Sequence, residues 1–171
     1  MSDRAQGGRL WAAVVDWLAD AGVGEAAAVD LAELLDATSG PPTVAVRGPA
    51  GIGAAAVAAA LGDHPSARGT WRVVADEGPA PRVDADAVVT LSHDPGARAR
   101  PGEVVADPRV LLDDASSPAS PPLPPLAAAV GELVSPEALA AVRAGRLERG
   151  VAAAAAAHPV VRDELEDLLW P

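Results

Sequence analysis

The spacing of apolar and polar positions divides the chain into a helical start, an α/β middle and a helical end. Leu10, Trp11, Val14, Val15 and Leu18 recur at helical intervals, which predicts a helix over residues 10–20. Gly22 and Gly24 interrupt the pattern. It resumes over 25–37, where Val29, Leu31, Leu34 and Leu35 are apolar and Asp30 and Glu33 fall outside them, so the two segments read as a helical hairpin. After Thr38–Pro42 the period changes. Thr43–Arg47 is a short β-branched run, followed by a glycine-rich turn over 48–53 and an Ala-rich helix over 54–61. Residues 70–75 and 87–91 read as further strands. The stretch 103–112 offers one or two more, around Val104-Val105 and over Val110–Leu112.

Strands alternating with helix predict an α/β fold: a small, mostly parallel sheet of about 4–5 strands flanked by helices. The near-continuous apolar run Val44-Ala45-Val46 puts the first strand at the centre of the sheet, covered on both faces. This divides the chain into an N-terminal helical segment (1–42), an α/β core (43–115), a stiff Pro/Ser linker (116–125) and a C-terminal helical segment (126–171). In the last segment, Ser135-Pro136-Glu137 is a helix start. Gly150 reads as the stop of that helix, and Pro159 as a break before an acidic amphipathic end.

One stretch carries a recognisable motif. In Val44-Ala45-Val46-Arg47-Gly48-Pro49-Ala50-Gly51-Ile52-Gly53-Ala54-Ala55 a strand leads through glycines into a helix. It resembles the Walker A region of P-loop NTPases, G-x-x-x-x-G-K-[ST], with Gly48 and Gly53 at the two glycine positions and Gly51 matching an extra glycine of many members. Ala54 stands where the family has Lys, and Ala55 where it has Ser or Thr. The resemblance implies that the groups which neutralise the β- and γ-phosphates and hold Mg²⁺ are absent. Backbone N–H groups at a helix start remain. Val73-Val74-Ala75-Asp76-Glu77 resembles a Walker B strand, whose Asp would hold Mg²⁺ through water and whose Glu would activate the attacking water. Residues 85–91 resemble the next core strand of P-loop GTPases and related ATPases. A glycine turn of accidental origin is the alternative.

Composition sharpens this picture. The 171 residues include no Lys, Asn, Cys, Phe or Tyr, and all 13 basic residues are Arg. Apart from Cys, the missing types have AT-rich codons, which points to a GC-rich bacterial genome. Any mechanism that needs Lys or Asn is excluded, the base-reading N-K-x-D motif of GTPases among them. Without Cys there is no disulfide, thiolate nucleophile or thiolate metal site. A net charge of −11 disfavours nucleic acid and anionic membranes as partners. No apolar run approaches the length of a membrane span or a signal core, so membrane insertion is not expected and the protein reads as cytoplasmic.

Other chemistry is sparse. His64, His93 and His158 show no helical ligand spacing, and Ser92 and His93 point to opposite sides of a strand. Asp84, Asp86, Asp107, Asp113 and Asp114 could gather round a cation, and Arg98 and Arg100 form a small basic island. No cofactor is expected. The best interaction candidate is the end of the chain, where Val160, Val161, Leu165, Leu168 and Leu169 fall near one helical face and Trp170 follows. That face docks on a protein partner or packs on its own domain. Together these features point to a non-catalytic P-loop-like protein acting as partner or regulatory subunit of another protein, possibly an active NTPase. The alternatives are a nucleotide-binding protein or NTPase completed in trans, by Arg47 or a partner's side chain, and a small scaffold protein.

Overall fold

The computed structural model describes residues 2–20, 26–94, 96–112 and 123–170. These divide into two compact units. Residues 41–139 form an α/β unit. Residues 1–40 and 140–171 form a helical unit.

The α/β unit is built on four parallel strands: β1 (Thr43–Gly48), β2 (Arg72–Glu77), β3 (Ala87–Leu91) and β4 (Glu103–Ala106), in the order β2-β1-β3-β4. The apolar run of β1 is central, and Val44, Ala45 and Val46 are wholly buried. The period-2 alternation of a strand assigns these residues to different faces. Val44 and Val46 join Ala87, Val89 and Leu91 of β3 in one core. That face is covered by α3 (Ala54–Asp63) and α5 (Leu123–Leu133), which bring Val57, Leu61, Leu126 and Val130. The half-buried Trp71 packs against the same core.

The opposite face carries Thr43, Ala45 and Arg47 of β1, Asp76 of β2, and Val88 and Thr90 of β3. Among the described residues of the unit no helix packs on it. The strands of a parallel sheet are normally joined through helices. Here β2 reaches β3, on the far side of β1, through the extended segment 78–86. The segment follows β1 along the helix-free face. Gly78 N–H donates to Gly48 O at 3.2 Å, Arg47 donates to Val83 O, and Asp86 N–H donates to Thr43 O at 2.8 Å. Thr43 N–H in turn donates to the Asp86 carboxylate at 2.9 Å.

Three sequence expectations are corrected. Val110–Leu112 is helical, within α4 (Pro108–Leu112). Asp107 ahead of Pro108 is a helix start, and its carboxylate accepts the Arg109 N–H at 3.0 Å. Leu123–Pro125, read as the end of the linker, opens α5, where two prolines fit a first turn that needs no N–H. The rest of that linker, 116–122, lies outside the described residues, as do Gly22 and Gly24. Third, α6 (Pro136–Ala157) runs straight through Gly150. A Cβ at Gly150 would lie 2.3 Å from Leu34 Cδ2, so this glycine makes room for a neighbouring helix instead of ending its own.

The helical unit joins α1 (Ser2–Asp20), α2 (Ala26–Ser39), the greater part of α6 and α7 (Arg162–Leu169) round a second core of Leu10, Val14, Leu31, Leu147, Val151 and Leu165. Leu165 is wholly buried there, and Val161, Leu168 and Leu169 pack against the same cluster. Trp17 donates its indole N–H to Glu164 at 3.1 Å, and His158 pairs with Asp30 at 2.8 Å. Among the described residues no single helix is long and apolar enough to cross a membrane.

The packing of α7 makes a prediction. Leu165→Ala should destabilise the protein by about 2–5 kcal/mol in denaturant unfolding, as expected for emptying a filled core site. Trp170→Ala should stay within about 0.5 kcal/mol of the parent, because Trp170 is 83% exposed.

Candidate functional site

In an open α/β sheet the natural place for a ligand is beyond the carboxyl ends of the strands, where successive connections leave in opposite directions. Here that place lies beyond β1 and β3, because β1 connects through α3 to β2 on one side and has β3 on the other. A cleft of about 450 Å³ lies there, lined by Arg47, Gly48, Asp76, Gly78, Thr90 and Leu91, among others.

The glycine turn forms one wall. Ile52 N–H donates to Pro49 O at 3.1 Å, closing a tight turn. Gly51 and Gly53 have φ of 80° and 96°, in the left-handed region where a side chain is strained. Gly53 then starts α3 with no side-chain cap. The geometry is strand, glycine turn, helix, with Pro49, Ala50 and Gly51 exposed. A Cβ at Gly48 would lie 2.6 Å from Ile52 Cγ2, so the Ile52 side chain sits over Gly48. Ile52 also packs against the sheet core.

The two alanines face different surroundings. Ala54 is wholly buried and belongs to the sheet core, whereas Ala55 is exposed at the surface of α3. A Lys at 54 would carry its stem into packed apolar side chains.

The acidic strand end is engaged as well. Asp76 is buried and accepts from Arg47 Nε at 2.9 Å, from Arg82 N–H at 3.2 Å and from Val83 N–H at 3.3 Å. Burial pushes its pKa up, but the Arg47 guanidinium and the two amides outweigh it and hold the carboxyl below its ordinary value of 3.8. A carboxylate with these donors is a structural anion fastening β1, β2 and the 78–86 segment together. Glu77, beside Gly48 in the ladder, is half-buried.

Pairing of β3 with β4 brings together two residues that the sequence keeps apart. His93 Nδ1 lies 3.2 Å from Asp107, just beyond the carboxyl ends of these strands. The Arg109 amide holds the Asp107 carboxyl below its ordinary range against a smaller opposing effect of burial, and His93 adds to the lowering. Both side chains are substantially exposed. Only the strand register signals this pair, and the sequence does not give the register. Ser92 Oγ accepts from Asp94 N–H at 3.1 Å, and His64 Nδ1 accepts from Ser66 N–H at 3.3 Å, both turn contacts. Of the acids considered for a cation, Asp86 holds the start of β1, Asp107 holds α4 and His93, and Asp113 and Asp114 lie outside the described residues. Among the described residues no three His, Cys, Asp or Glu side chains gather as a metal site would need.

The C-terminal candidates are placed in the helical unit. Leu165 is in its core, Val161, Leu168 and Leu169 are packed against it, and Trp170 stands outside. No protein-family model, curated protein or solved structure matches the chain.

Two predictions follow from this geometry. Ala54→Lys should lower stability by about 1–3 kcal/mol, the usual cost of overfilling a packed site, while Ala55→Lys should be close to neutral. Both are read by urea unfolding. Asp76→Asn should melt at a lower temperature than the parent at neutral pH. The contribution of Asp76 is in full above its ordinary value of 3.8 and is lost as pH falls through its lower folded value. The gap between the two melting curves should therefore close as the pH is taken below 3.8.

Proposed function

We propose that the α/β unit is a non-catalytic P-loop-like domain, and that the protein works as a partner or regulatory subunit of another protein. The observation that carries this reading is the state of Asp76. In the resemblance it is the magnesium-bearing acid, and here it is spent on Arg47 and two backbone amides. Ala54 and Ala55 supply no charge or hydroxyl, and Ile52 fills the space over Gly48. What such a domain can still do is bind. Two large apolar side chains of the helical unit support that role: Val160 is 96% exposed and Trp170 83% exposed, at either end of the acidic helix α7. Completion of a hydrolytic site by Arg47 is disfavoured, because Arg47 already pairs with Asp76 and donates to Val83 O.

The expected outcome is no magnesium-dependent release of phosphate from ATP or GTP above the buffer rate. Turnover that disappears in Glu77→Gln would contradict the proposal. A photo-crosslinking residue at position 170, expressed in the native host, should give one dominant adduct with a second protein. Absence of any adduct would count against the partner role.

A further inference from the structure

The helix-free face of the sheet holds a second cleft of about 540 Å³, lined by Arg47, Thr90, Arg98, Arg100, Glu103 and Val105, among others. It is distinct from the glycine turn, which contributes nothing to it. Its floor is β3 and β4, with Val88, Thr90 and Val105 upward. One side is Pro81 of the 78–86 segment. The other is the stretch 97–102, which closes in a turn, Glu103 N–H donating to Arg100 O at 3.0 Å, before entering β4.

The charges in this cleft are uneven. Arg98 and Arg100 both line the cleft and both are exposed. Neither side chain has a hydrogen bond or ion pair among the described residues. The acids beside them are occupied. Glu103 accepts from the Thr90 hydroxyl and, at 3.0 Å, from the Arg100 N–H, which fixes the stretch to the sheet. Asp76 is neutralised by Arg47. The cleft therefore presents the Arg98 and Arg100 guanidinium groups over a floor of Val88, Thr90 and Val105, on a chain whose net charge is −11. Guanidinium forks match oxoanions with two parallel hydrogen bonds. A volume in the range of small-molecule sites, with polar and apolar lining in similar measure, suits a compact ligand with a charged head and an apolar body.

We propose that this cleft binds a small organic oxoanion, a phosphate or carboxylate head on an apolar body. Arg98 and Arg100 clamp the head, and Val88 and Val105 support the body.

The test is amide chemical-shift titration of the full chain with phenyl phosphate, benzoate, inorganic phosphate and phenol. Saturable shifts over 97–103 and 88–90 are expected with phenyl phosphate or benzoate, and whichever binds more tightly identifies the head. Affinity should fall about tenfold or more in Arg98→Ala/Arg100→Ala, whose two positions are exposed and should leave the fold intact. Inorganic phosphate should bind more weakly than phenyl phosphate, and phenol should give no saturable shift. No saturation by either organic anion at about 10 mM would overturn the proposal, since that is weaker than about 3 kcal/mol of binding. So would an unchanged affinity in the double variant, or equal affinity for inorganic and phenyl phosphate.

Discussion

The Arg47–Asp76 ion pair is the contact on which the α/β unit turns. It joins the carboxyl ends of β1 and β2, and through Arg82, Val83 and the Val83 carbonyl it also anchors the segment that crosses β1 to reach β3. A parallel sheet needs both faces covered. One face is covered in the usual way by α3 and α5. The other has this pair and the strap it holds, which is how Ala45 comes to be wholly buried on a side without a helix. A buried pair is costly unless its remaining hydrogen-bonding groups are met. Asp76 meets this condition with the Arg82 and Val83 amides.

That constraint links architecture to function. Ile52 sits over Gly48, and Arg47 pairs with Asp76. Ala54, in the lysine position, faces the core. The glycine turn walls the cleft beyond β1 and β3, and a second cleft, with Arg98 and Arg100 over β3 and β4, lies on the other face of the sheet. The short extended connections, lacking helices, are what leave that side open.

Much of this was legible in the residue pattern. Val44-Ala45-Val46 could only be a buried strand, and the apolar spacing of the N-terminal segment gave two helices. The missing Lys and hydroxyl at 54 and 55 were visible as letters. What the pattern hid was long-range. Arg47 meets Asp76 only because β1 and β2 pair in one register, and His93 meets Asp107 only through β3 and β4. Gly150 looked like a helix end because its partner, Leu34, lies far away in sequence. Local chemistry outweighed apolar content at Val110–Leu112, where Asp107-Pro108 starts a helix. The face of α7 was readable as apolar, but not what would cover it.

Ile52 packs over Gly48, and on the proposed reading the turn 48–55 takes no phosphate. Amide exchange and chemical shifts of residues 48–55, recorded with and without Mg-ATP, test it directly. These amides should keep their positions and exchange rates at saturating nucleotide, whatever happens over 97–103. Saturable shifts confined to 48–55, with slowed exchange at Gly51, Gly53 and Ala54, would contradict it.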